Sequence, residues 1–145
     1  MVQTAAAFSS VVNGGYYYTP HVVKEIQNEN GATVSEIETQ PVHKVVTAET
    51  SKLLRGYLYK TVEEGTAKAA QVKGYKVGGK TGTAQVSNGS DTVLFVGFAP
   101  YDNPEIAVAV VVENGYSSSR AASVAASIFD YYYANYSGDA QQNGQ

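Results

Sequence analysis

The chain has no cysteine and no tryptophan among its 145 residues, and only one methionine and four prolines. Without cysteine there are no disulfides and no thiol chemistry, and a cysteine-rich zinc site is excluded. Charge is sparse as well. Charged residues make up 16% of the sequence, the formal net charge is -3, and acids and bases are mixed along it. No basic tract is present, so nucleic acid is not an expected partner. The longest apolar run, Ile106 to Val112, is seven residues. A membrane-spanning helix needs about 20. Met1 is followed at once by Val2-Gln3-Thr4, with no charged segment and no long apolar segment behind it. The chain is therefore expected to carry neither a signal peptide nor a transmembrane segment of its own.

What is present supports a folded core. Hydrophobic residues reach 43%, and tyrosine is abundant at 12. A domain of this size buries about 70% of the surface of its unfolded chain.

Val2 to Val12 reads as a helix, closed by Asn13-Gly14-Gly15. Tyr16 to Ile26 has the composition of a strand, and Pro20 within it points to an edge or a bulge. Asn28 to Gly31 is a turn, and Thr33 to Ile37 returns as a second strand of a small hairpin that ends at Gln40-Pro41. Thr47 caps the next helix, and Glu49 suits its first turn. Leu54, Tyr57, Leu58, Thr61 and Val62 form one face, and Glu63-Glu64-Gly65 ends it. Thr66 to Tyr75 begins with a short helical turn. From Lys76 the period changes to two. Ser87 to Asp91, with its Asn-Gly pair, turns the chain into a returning strand over Thr92 to Ala99. Glu105 to Glu113 is a third strand, rich enough in valine, isoleucine and alanine to be buried on both faces. Ser119 caps a last helix from Arg120 to about Tyr136. The fold class is α+β: an antiparallel sheet of three C-terminal strands, packed by an N-terminal, a central and a long C-terminal helix, plus a small hairpin. Residues 138–145 read as a polar disordered tail.

The densest chemistry lies in Gly78-Gly79-Lys80-Thr81-Gly82-Thr83-Ala84. Two readings compete for it. Gly74 to Thr81 satisfies G-x-x-x-x-G-K-[ST], the pattern of a loop that cradles phosphates. Such a loop follows a buried strand and opens a helix at the lysine. Here a small-residue segment precedes it, and a Thr-Ala-Gln-Val run and an Asn-Gly turn follow, which argues against a nucleotide site. The second reading is Lys80-Thr81-Gly82 on a strand, the third signature of serine penicillin-recognising enzymes.

A bare Lys-Thr-Gly is weak, but this one has company. Asn13-Gly14-Gly15 followed by Pro20 to Lys24, Glu64-Gly65-Thr66-Ala67 ahead of Val77 to Gln85, Phe95 to Pro100 and the alanine-rich last helix all occur in order. As a set they resemble the C-terminal part of the transpeptidase domain of class B penicillin-binding proteins, over residues 1–137. The resemblance implies one side of a partial penicillin-binding transpeptidase fold, with an active site between a sheet and a helical subdomain. It implies that an acyl-D-Ala-D-Ala stem peptide, or a β-lactam, lies along the strand carrying Lys80. Lys80 would supply positive potential and hydrogen-bond a serine. Thr81 and Thr83 would reach the terminal carboxylate. Gly82 would leave room for the ligand backbone, and the Thr83 N–H would be an oxyanion donor. No cofactor and no metal is implied. In this family the site is extracytoplasmic and membrane-anchored.

Part of the machinery is not in the sequence. No serine has a lysine three residues on, and there is no Ser-x-Asn. The expectation is that the nucleophile and the second motif belong to a missing upstream part of the domain, and that this chain is inactive alone. The alternatives are a non-catalytic remnant with this fold and, behind it, the nucleotide loop. The remaining candidates read as structure. His21 and His43 lack companions at metal-ligand spacing. Glu63 and Glu64 are a solvated helix end. Tyr133-Ala134-Asn135 imitates a second-motif variant but lies after the Lys-Thr-Gly strand.

Overall fold

The computed structural model describes residues 1–87 and 89–136. The expected tail at 138–145, and Asn88 of the Asn-Gly turn, lie outside the described residues.

Helix α1, Val2–Val12, leads into β1, Tyr16–Tyr18. The Asn13 side-chain oxygen accepts from the N–H groups of Gly15 and Tyr16, which turns the chain sharply between them. Two further short strands follow, β2, Glu25–Gln27, and β3, Thr33–Glu36, which pair antiparallel as the hairpin. The stretch from Tyr16 to Ile26 is thus two strands in two sheets, and not one interrupted strand. The segment read as the hairpin's end is itself a strand, β4, Pro41–Lys44, which pairs with β1. Pro41 is the first residue of β4, where a missing N–H costs least, and the pairing is bulged at Tyr17/Tyr18.

Thr47 caps α2, Ala48–Glu63, by accepting from the Thr50 N–H at 3.2 Å. The Glu49 carboxyl sits below its ordinary pKa, held first by its own backbone N–H and then by the Thr47 hydroxyl. A single 3-10 turn, Lys68–Ala70, leads to the main sheet. Its strands are β5, Gly78–Ala84, β6, Thr92–Ala99, and β7, Ile106–Val112, in the order β5-β6-β7 and antiparallel throughout. Helix α3, Ser118–Tyr136, closes the described chain. It starts two residues before the expected Arg120. Ser117, rather than Ser119, sits at its entrance, accepting from the Ser119 N–H at 3.4 Å.

Cross-strand partners in an antiparallel sheet point to one face. On one face Val93, Phe95, Val108 and Val110 pack with Ala121, Ala122, Ala125 and Phe129 of α3 and with Val62 of α2. Small alanines bring the α3 backbone close to the sheet, and Phe95 and Phe129 fill the space between. On the other face Phe8 of α1 meets Phe98 of β6, with ring centroids 6.3 Å apart. The expected burial of the third strand on both faces is only half met. Val108 and Val110 are buried, whereas Val111 is 39% exposed. At the margin of this core the Tyr75 and Tyr133 rings stack, with centroids 4.1 Å apart. Among the described residues no helix is long and apolar enough to cross a membrane.

Candidate active-site strand

The lysine of the glycine-rich segment lies in the middle of an antiparallel strand, and no helix begins there. The phosphate-loop geometry is therefore absent, as its sequence context predicted.

The register of β5 sorts the segment's side chains. Gly78, Lys80 and Gly82 oppose Phe98, Val96 and Leu94 on the α1 face. Gly79, Thr81 and Thr83 oppose Gly97, Phe95 and Val93 on the α3 face. Lys80 is exposed, and its ammonium donates to the Thr81 carbonyl at 2.7 Å and lies 3.4 Å from the Thr81 hydroxyl. The two threonines do share a face, but their surroundings differ. Thr81 is 8% exposed, and its hydroxyl lies 3.2 Å from that of Thr66. Thr83 is exposed at the end of the sheet. Sequence reasoning treated Thr66 only as part of the approach to the strand. Its contact with Thr81, fifteen residues on, is a tertiary one that no local pattern could show.

The three glycines are there for different reasons. A Cβ on Gly78 would run into the Phe98 ring, and one on Gly79 into the Phe95 ring and the Val96 carbonyl. These two are demanded by packing. A Cβ on Gly82 would meet only the Leu94 side chain, at 3.6 Å, an ordinary contact. The fold does not require glycine there. The outer edge of β5 is unpaired among the described residues, since its neighbour in the sheet is β6.

His21 and His43 lie apart from this strand, exposed, and His43 stacks on Tyr17 at 5.2 Å. No group of three or more potential metal ligands occurs among the described residues. A groove of about 700 Å³ lies elsewhere, along α2 against Tyr101. It holds none of the predicted site residues.

The strand, its helices and its open edge can be set beside known proteins. The family model of the penicillin-binding protein transpeptidase domain matches residues 1–133. The chain belongs to this transpeptidase family. The stage V sporulation protein D of Bacillus subtilis is 45% identical over 120 residues, which is 78% of this chain and 19% of that protein. The D,D-transpeptidase domain of a peptidoglycan glycosyltransferase from Eggerthella lenta superposes with a TM-score of 0.83 at 29% identity, covering 92% of this chain and 32% of that one. Penicillin-binding protein A from M. tuberculosis, solved as an imipenem acyl-enzyme complex, superposes with a TM-score of 0.72 at 25% identity, covering 86% of this chain and 29% of that one. The transpeptidase segment thus spans about a fifth of the length of its curated relatives.

Proposed function

We propose that this chain is the C-terminal portion, residues 1–137, of a serine D,D-transpeptidase domain, and that β5 is the wall along which the peptidoglycan stem peptide lies. The observation that carries the reading is the open edge of β5, bearing Lys80 to Thr83, with glycine at 82 where the fold has no need of one. An extended peptide adds to such an edge through backbone hydrogen bonds, and Gly82 lets its backbone approach.

The Thr81 carbonyl is taken by the Lys80 ammonium and so faces away from β6. Backbone groups two residues apart point the same way. The Thr83 N–H therefore faces the same open edge, as an oxyanion donor must. Such a donor is worth about 3–4 kcal/mol in acyl transfer. Thr83 offers its hydroxyl to the ligand's carboxylate from an exposed position. Thr81, nearly buried, acts with Thr66 beside it. Lys80 brings positive potential to the open edge, where its ammonium reaches the Thr81 carbonyl and hydroxyl, and donates to a serine of the missing second motif. The acyl-enzyme of the M. tuberculosis relative supports extending this wall to β-lactams.

The nucleophile is not among these residues, because no Ser-x-x-Lys occurs in the sequence. The chain alone is therefore inactive. A fluorescent penicillin tests both halves of the reading. The 145-residue chain should take no covalent label. The protein extended by an in-frame upstream segment with Ser-x-x-Lys and Ser-x-Asn should be labelled, and hydroxylamine should release the label. A hydroxylamine-sensitive adduct on the chain alone would overturn the inactivity. An extended protein that takes no label would favour a non-catalytic remnant with this fold.

A further inference from the structure

The polar groups at the open edge of β5 do not end with the strand's own residues. We infer that Thr66 is a positioning residue for the Lys80 ammonium, and that it acts through the Thr81 hydroxyl. This rests on the transpeptidase reading above and adds to it a residue that stands outside the Lys-Thr-Gly strand.

The end of α2 fixes where Thr66 stands. Val62 and Ala67, on either side of it in sequence, have no exposed surface. The Ala67 N–H donates to the Thr61 carbonyl at 3.1 Å, and the Gln71 side chain donates to the Val62 carbonyl at 3.2 Å. Gly65 lies so close to Thr61 that a Cβ on it would stand 2.8 Å from the Thr61 carbonyl oxygen. Thr66 itself is exposed, yet the chain around it is tied down. Its hydroxyl lies 3.2 Å from that of Thr81.

The direction of the hydrogen bonds follows from the groups present. An ammonium has three protons to give and no lone pair, whereas a hydroxyl has one proton and two lone pairs. The Thr81 hydroxyl, 3.4 Å from the Lys80 ammonium, therefore accepts there. Its own proton points elsewhere, and Thr81 is only 8% exposed, so little water reaches it. Among the described residues the Thr66 hydroxyl is the acceptor within its reach. Thr66, being exposed, donates outward to solvent. The three groups make one directed chain from Lys80 through Thr81 to Thr66, in which each bond polarises the next.

Lys80 needs this hold. It is exposed on a flexible four-carbon stem, and its shortest contact is with the Thr81 carbonyl, at 2.7 Å. Without the Thr66 hydroxyl the Thr81 proton loses its acceptor, and the Thr81 lone pair no longer faces the ammonium. The lysine is then free to leave the edge where the second-motif serine meets it. Thr66 therefore serves the chemical step rather than ligand capture.

The test follows acylation by a fluorescent penicillin, over a range of concentrations, of the protein extended by Ser-x-x-Lys and Ser-x-Asn. Thr66→Val, which keeps the shape and removes the hydroxyl, should lower the saturating rate about fivefold, the order of one neutral hydrogen bond. The half-saturating concentration and the melting temperature should stay put. Thr66→Ser, which keeps a hydroxyl, should retain most of the rate. In a Thr81→Val background Thr66→Val should have no further effect, because the link it acts through is gone. If Thr66→Val loses no rate, loses as much in the Thr81→Val background, or is matched in its loss by Thr66→Ser, the inference is wrong. A rise in the half-saturating concentration at an unchanged saturating rate would also overturn it, since Thr66 would then hold the ligand itself. If the unsubstituted extended protein takes no label, the transpeptidase reading falls and this inference with it.

Discussion

The three-stranded sheet and the β2–β3 hairpin are both antiparallel and both joined by tight turns, yet they are held by different forces. In β6, Val93, Phe95, Phe98 and Ala99 have no exposed surface. In the hairpin every residue of β3 is exposed, and Val34 is 67% exposed. The sheet rests on apolar burial beneath α3. The hairpin rests on its turn, where the Asn28 side chain accepts from the N–H groups of Asn30 and Ala32, and on polar contacts such as Thr33 to Glu25 at 2.6 Å. A local pattern specifies both equally well. Buried side chains hold the strands of the sheet in place, and the precise positioning that a functional site needs rests on such packing.

That contrast can be broken most forcefully at Phe95. Phe95→Ala should cost about 3–5 kcal/mol in denaturant unfolding, because a fully buried ring leaves a cavity under α3. Val34→Ala in the hairpin should stay within about 0.5 kcal/mol. Equal losses at the two sites would refute the division.

The next effect sharpens the comparison within β5. Gly79→Ala should destabilise by about 1–3 kcal/mol through overpacking against Phe95. Gly82→Ala should leave the melting temperature nearly unchanged and yet, on the proposed function, slow acylation of the protein extended by Ser-x-x-Lys and Ser-x-Asn. A Gly82→Ala variant that loses stability as Gly79→Ala does would show that glycine 82 serves the fold.

The smallest effect lies in the hairpin. The Glu25 carboxyl is held below its ordinary pKa, first by the Thr33 hydroxyl and then by the Gln27 amide. A carboxyl depressed in this way contributes stability above its unfolded pKa and loses it as pH falls through the folded value. Hairpin amide signals should therefore move between about pH 5 and about pH 3, while those of β6 stay put. Thr33→Val should shift the change toward higher pH. Hairpin and sheet signals that move together would show that they are one cooperative unit.

Much of this architecture could be read from the chain. The three helices follow from apolar periodicity with Asn13-Gly14-Gly15 and Thr47 at their ends. The three long strands follow from their β-branched composition and the turns between them. The short strands were harder. The β1–β4 pairing joins Tyr16 to Lys44 across a whole hairpin, and a three-residue strand paired with four exposed residues leaves no apolar pattern to mark it. The entrance of α3 moved by two residues because three consecutive serines offer alternative caps. At the site, the alternation of Lys80 against Thr81 and Thr83 was legible from a period of two. The unequal burial of the two threonines was not.

The sequence by itself determined the three helices, the three long strands with the one that carries Lys80, and the family, because periodicity, turn residues and motif order are local properties of the chain. Only the tertiary structure decided which glycines of that strand serve packing and which stays free, and that Thr66 reaches Thr81. Those facts depend on which residues face one another across strands and loops, and contact at long sequence separation is not written in any local pattern.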